Sequence, residues 1–162
     1  MRRADLISRK IYDRRSLVRL VAQWRVKGET VAFTNGVFDI LHQGHIFSLS
    51  SAAAEADHLV VGLNSDLSVK RLKGDQRPVN DQESRALVLA SLLMTDAICI
   101  FEEDTPLELI TSILPEVLVK GGDYTPEQVA GAAEVIAAGG RVLINPVLEG
   151  FSTTGIIGRM RS

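Results

Sequence analysis

Five short stretches of this chain are apolar at successive positions instead of alternate ones: Val31-Ala32-Phe33 running into Thr34, Leu59-Val60-Val61-Gly62-Leu63, Ala97-Ile98-Cys99-Ile100-Phe101, Val117-Leu118-Val119 and Val142-Leu143-Ile144. A strand with one face in water alternates polar and apolar side chains, whereas a strand covered on both faces does not. Segments of helical character lie between the runs, at residues 45–56, 81–94, 106–113 and 128–137, and residues 154–160 can close the chain as a last helix. Strand and helix in repetition specify an α/β fold: a Rossmann-like three-layer sandwich of about five parallel strands with helices on both faces. Ahead of the first run, Leu17, Leu20, Val21 and Trp24 recur at helical spacing and stop at Gly28. Residues 1–15 are basic and aperiodic and are expected to form a mobile arm. The division expected is an arm and helix over 1–29, packed on one domain over 30–162.

Composition narrows what such a sheet can serve. A chain of 162 residues has room for one domain, at about 100–200 residues each. With 46% hydrophobic and 23% charged residues it is not a disordered segment. Eighteen Lys and Arg against 20 Asp and Glu leave no overall positive field to hold nucleic acid or an anionic membrane, so any phosphate must be met by a local site. The single cysteine, Cys99, excludes an intramolecular disulfide, and paired zinc-type cysteines are absent. The amino-terminal stretch lacks the apolar core of a secretory signal, and no run approaches the roughly 18 apolar residues of a membrane span. A cytoplasmic protein without nucleic-acid or membrane partners is expected.

In parallel sheets ligands bind beyond the carboxyl ends of the strands, near the switch point, so the chemistry is sought after each run. After the first stands Thr34-Asn35-Gly36-Val37-Phe38-Asp39-Ile40-Leu41-His42-Gln43-Gly44-His45. Two of the three histidines fall here at a loop-to-helix junction, where free N–H groups and the helix dipole favour phosphate. Gly44 permits close approach of a phosphate. A His-x-x-His metal pair and two merely structural histidines are the rival readings; the metal reading lacks a third ligand nearby. After the second run Lys70, Arg71, Lys73 and Arg77 crowd one stretch, either a solvated loop or the cations that neutralise a triphosphate. After the fourth, Lys120-Gly121-Gly122-Asp123-Tyr124 permits close approach of a base and a carboxylate for ribose hydroxyls, or makes an ordinary turn. After the fifth, Ser152-Thr153-Thr154 offers hydroxyls to phosphate or an N-cap to the last helix. Dinucleotide-type G-x-G-x-x-G and Walker-type G-x-x-x-x-G-K spacings do not follow the first strand, which removes the main support for hydride transfer or a P-loop kinase.

Thr34 to Asp39 leading into His42-Gln43-Gly44-His45, with Ser152-Thr153-Thr154 near the C-terminus, resembles the two signatures of the nucleotidylyltransferase superfamily. The stretches NSDLSVKRLKGDQRPVN (residues 64–80), FEEDTP (101–106) and VKGGDY (119–124) resemble, within it, the adenylyltransferases that activate D-glycero-β-D-manno-heptose 1-phosphate for lipopolysaccharide, often the C-terminal half of a bifunctional heptose kinase/adenylyltransferase and here expected to stand alone. The likeness runs from about residue 31 to 160. Ser48, Ala54 and Phe151 depart from residues common in relatives, Ser48 at the edge of the acceptor pocket.

The resemblance implies AMP transfer from ATP to heptose 1-phosphate with release of pyrophosphate. His42 and His45 are expected on the triphosphate, and Lys70, Lys73 or Arg77 on the incoming phosphate or leaving pyrophosphate. Thr34, Asn35, Gly36, Phe38, Gly44, Gly121, Gly122, Asp123, Ser152, Thr153 and Thr154 are expected on the nucleotide, and Asp39, Asn64 and Asp66 on the acceptor. Mg²⁺ is expected to arrive with ATP and not in a protein cage, and a homodimer is expected. The alternative is a cytidylyltransferase acting on glycerol 3-phosphate or a similar alcohol phosphate.

Overall fold

The computed structural model describes residues 4–146 and 153–161. A two-residue strand β1 (Ile11–Tyr12) is followed by α1 (Arg14–Val26), β2 (Val31–Gly36), α2 (Gln43–Ala53), β3 (His58–Asn64), α3 (Asp66–Lys73) and α4 (Gln82–Ala90). Then come β4 (Ala97–Phe101), α5 (Leu107–Ile113), β5 (Val117–Gly121), α6 (Ala132–Ala137), β6 (Arg141–Asn145) and α7 (Thr153–Arg161). The strands form one sheet in the order β1-β4-β3-β2-β5-β6, with every pair parallel. All carboxyl ends therefore lie on one edge, and the order reverses between β2 and β5.

Successive residues of each strand go to opposite faces. Phe33, Val60, Cys99 and Leu118 pack with α1, α5 and α6, while Ala32, Leu59, Val61, Ile98 and Val119 pack with α2 and α4. Both faces are covered, which is why the runs do not alternate. Cys99 lies inside the first cluster, and burial pushes its thiol up to about 11, so it is inert as a nucleophile. Helix starts are marked by side-chain caps: Asp13, Ser65 and Asp81 accept from the backbone N–H of Ser16, Ser68 and Ser84. Gly131 precedes α6 at φ +84°, where a Cβ would come within 2.7 Å of the Ile110 side chain. At the amino edge of the sheet the Trp24 indole stacks on the His58 imidazole, centroids 3.9 Å apart, and His58 Nε2 lies 2.9 Å from a Glu29 carboxylate oxygen.

Two expectations are corrected. Residues 4–12 are not a mobile arm: Ala4–Lys10 form a 3-10 helix and Ile11–Tyr12 a sixth strand on the edge of β4. Ile7 and Ile11 pack on the second core cluster, and Lys10 Nζ donates to the carbonyls of Leu92 and Thr95, too few apolar residues for a periodic signal. The cationic stretch after β3 is not one loop either. Its first half is helix α3, started by the Ser65 cap and held by buried Ser68 and Val69.

Candidate active site

The chain leaves β2 by a turn in which Phe38 takes φ +47° and tilts its ring over His45, centroids 5.2 Å apart. Gly36 leaves room for that ring, since a Cβ there would stand 2.9 Å from it. Asp39 follows with its side chain wholly buried. Burial pushes its carboxyl up, but N–H donation from Asn80 and Val79 and the Arg77 guanidinium outweigh this and hold it below the usual carboxylate range. Asp39 thus ties the loop before α4 to the loop before α2.

His42 occupies the cap position of α2 and His45 its first turn, and the two imidazoles stack at 3.8 Å and 24°. Burial lowers the His42 pKa; burial and then the neighbouring His42 ring lower that of His45 to about 4. His45 Nδ1 is buried without a hydrogen-bond partner among the described residues, so Nε2 is the nitrogen that can meet a ligand. The amides of Gln43 and Gly44 precede the first bond of α2, which runs from the His45 N–H to the His42 carbonyl, and they stand beside two neutral rings. This arrangement suits an anion that accepts hydrogen bonds.

Arg85, which closes the first turn of α4, is 2% exposed and organises the edge. It donates to the carbonyls of Val37 (2.7 Å), Asn64 (2.9 Å) and Asn80 (3.0 Å) and to Asp66 Oδ1 (2.7 Å). One guanidinium therefore gathers the turn after β2, the end of β3, the start of α3 and the loop before α4.

A cleft of about 370 Å³ opens beyond the ends of β2, β3 and β5, lined by Asn35, Gly36, Asn64, Lys73, Thr105 and Lys120 among others. Lys120, near the end of β5, is half-buried, and burial lowers its pKa. Its ammonium stands 5.5 Å from the centroid of the Tyr124 ring. The histidines are not among the lining residues of this cleft.

The expected site residues divide accordingly. Thr34 is buried in β2, and Asn35, Gly36, Asn64 and Lys73 reach the cleft. Lys70 is exposed on α3, Arg71 pairs with Asp104, and Arg77 and Asp39 bind each other at 2.6 Å, so the four cations do not converge. Asp66 is taken up by Arg85. Gly44 lies in the first turn of α2. Gly121 ends β5, Gly122 takes φ +123° and donates its N–H to the Asn145 carbonyl, and Tyr124 lines the cleft where exposed Asp123 does not. The Thr153 hydroxyl donates to the Ile40 carbonyl (3.3 Å), which brings the start of α7 to the histidine loop; Thr154 is exposed. Phe151 and Ser152 lie outside the described residues. Sequence reasoning missed Arg85, which carries no motif, and gave no role to Lys120 and Tyr124 although both stand in VKGGDY.

A doubly wound sheet with stacked histidines at a helix start beside its switch point, and lysines in the adjoining cleft, has the layout of a nucleotidyl-transferring α/β domain. Residues 33–159 match the family model described as cytidylyltransferase-like, and the chain belongs to that family. It is 56% identical over 94% of its length to the bifunctional protein HldE of Mesorhizobium japonicum, and 60% identical over 86% to that of Rhodopseudomonas palustris strain TIE-1. The chain spans 31% and 28% of those two proteins. Among solved structures it resembles the lipopolysaccharide core biosynthesis protein of Thermoplasma volcanium, with TM-score 0.61 and 26% identity over 75% of this chain and 98% of that one. A pantoate–β-alanine ligase from Francisella tularensis, complexed with an ATP analogue and β-alanine, shares the fold at TM-score 0.60 and 16% identity, covering 90% of this chain and 69% of that one.

Proposed function

We propose that the chain transfers AMP from ATP to D-glycero-β-D-manno-heptose 1-phosphate, giving ADP-heptose and pyrophosphate. The observation that carries the reading is the stacked His42–His45 pair at the start of α2, next to a cleft holding Lys73 and Lys120. The choice of sugar is supported by the identity to bifunctional HldE proteins and by the likeness to a lipopolysaccharide core biosynthesis protein. A sugar phosphate oxygen is already anionic, so its attack on the α-phosphorus, with pyrophosphate leaving in line, needs no general base. The chain's own contribution is positioning and neutralisation of developing charge.

In this reading His42 and His45 donate to the triphosphate, and the amides at Gly44 and the hydroxyls at 152–154 close on its phosphates. Gly121, Gly122 and Asp123 flank the nucleoside, and Lys73 is the cation of the α3 stretch placed for an acceptor phosphate or pyrophosphate. Arg77 is favoured less for that role, because Asp39 already engages it. Mg²⁺ enters as part of MgATP, held by phosphate oxygens and water; among the described residues no three metal-ligating side chains stand together. The homodimer is part of the same proposal, and gel filtration tests it. The reaction is tested by pyrophosphate release with ATP or CTP offered against heptose 1-phosphate or glycerol 3-phosphate. Release with ATP and the heptose phosphate alone is expected. Release with CTP and glycerol 3-phosphate instead would replace the reading with the cytidylyltransferase alternative.

A further inference from the structure

The near-balance of charge over the whole chain conceals a division. Residues 1–27 carry nine Lys and Arg against Asp5 and Asp13, whereas residues 28–162 carry nine against 18 Asp and Glu. Much of the basic part is helix α1, which turns Leu17, Val21 and Trp24 to the core. Its first turn holds Arg14 and Arg15 and no carboxylate, although the helix dipole favours the reverse.

Two arginines of α1 are accounted for within the molecule. Arg14 pairs with Glu103 and Glu108, and Arg25 with Glu116, so the carboxylates that reach the helix from the side of α5 are spent on its flank. Arg15 and Arg19 are exposed, and among the described residues no carboxylate lies within ion-pair distance of either. Positions 15, 19, 22 and 26 recur every three or four residues, so Arg15, Arg19, Ala22 and Val26 form one crest opposite the buried side. Val18 lies beside this crest, Lys27 caps its end, and Val26 is 88% exposed. No acidic side chain interrupts it.

Cations in a row with apolar side chains between them fit a surface that is anionic outside and apolar just beneath, which is the chemistry of phospholipid headgroups over acyl chains. The acidic remainder of the chain does not cancel the attraction, because at physiological salt charges more than about 10 Å from the contact are screened. A nucleic acid fits the crest less well. The one aromatic of α1, Trp24, is turned to the core and cannot stack on a base, and a protruding valine gains nothing from a phosphate backbone. We propose that the crest of α1 is a docking face for an anionic lipid bilayer, with Arg15, Arg19 and Lys27 on headgroup phosphates and Val26 between the headgroups. The inference does not rest on the proposed reaction: α1 packs on α5 and β4 and supplies no residue to the cleft or to the histidine pair.

The test is co-sedimentation of the full chain with vesicles of phosphatidylcholine containing about 30% phosphatidylglycerol, at about 0.1 M and about 0.5 M salt, and with vesicles of phosphatidylcholine alone. Binding is expected to the anionic vesicles at the lower salt and to be lost in the other two conditions. The double variant R15Q/R19Q is expected to bind them about tenfold or more weakly, and R15K/R19K, which keeps both charges, to bind like the unaltered protein. Both double variants should melt with the unaltered protein, since the side chains changed are exposed. Val26→Ser should weaken vesicle binding by about threefold; an unchanged affinity would remove the apolar contact that singles out lipid, and the assignment with it. Absence of vesicle binding, or equal binding by R15Q/R19Q, overturns the proposal. So does capture of a single-stranded RNA of about 20 nucleotides by a protein that ignores the vesicles, which would give the crest to nucleic acid. Pyrophosphate release in solution is expected to be the same for all these variants, so failure of the docking face and failure of the proposed reaction are read in separate assays.

Discussion

His45 is held in its neutral form. Its pKa of about 4 in the folded protein lies below the roughly 6.5 of a free imidazole, so between those values the unfolded chain carries a proton that the folded one does not. Stability is therefore lost as pH falls from about 6.5 toward 4. Denaturant unfolding of His45→Gln over that range should show a shallower loss than the unaltered protein; an identical slope would place the acid sensitivity elsewhere. In the proposed reaction a neutral ring would donate one hydrogen bond from Nε2 to a phosphate oxygen. Removing one such donor costs on the order of 3–4 kcal/mol of barrier, so His45→Ala should fold and turn over roughly 100- to 1,000-fold more slowly. Turnover near the normal rate in that variant would remove the histidine from the mechanism.

At the scale of elements, α4 is the piece that holds the edge in register, through Arg85. Arg85→Met leaves three carbonyls and Asp66 without their donor, and breaking a buried ion pair in this way costs about 3–5 kcal/mol. A large drop in the urea midpoint is expected. Asp66→Asn, which keeps an acceptor for the guanidinium, should fall much less. At the α5–α6 contact, Gly131→Ala places a side chain at positive φ against Ile110, and a loss of about 1–3 kcal/mol is expected in the same assay. The buried strands and the histidine loop were legible in the sequence because local composition encodes them. Helix α3 was not. Its charged residues mask a short pattern of Ser65, Ser68 and Val69 that shows only once β3 is there to pack against. The roles of Lys70, Lys73, Arg71 and Arg77 could not be separated for the same reason: which way a cation points depends on the helix that carries it, and Arg77 is turned away by an aspartate 38 positions earlier. Arg85 was hidden more deeply, since its acceptors are backbone carbonyls that only the assembled sheet brings together.

For the molecule as a whole, the short strand β1 closes one side of the sheet. Deleting residues 1–12 would uncover the β4 ladder at Ile98 and Cys99 and remove the Lys10 bonds to Leu92 and Thr95. Unpaired edges of this kind recruit other chains, so the truncated protein should melt lower and scatter light on concentration, with the intact chain as the comparison. The Trp24–His58 stack has a consequence of another sort. Trp24 is the chain's one tryptophan, and it lies at the amino edge, across the sheet from the cleft. Its emission is therefore expected to report folding and not occupancy of the cleft: a spectrum that shifts in urea and stays still under the proposed substrates would let stability and binding be followed as separate signals in one cuvette.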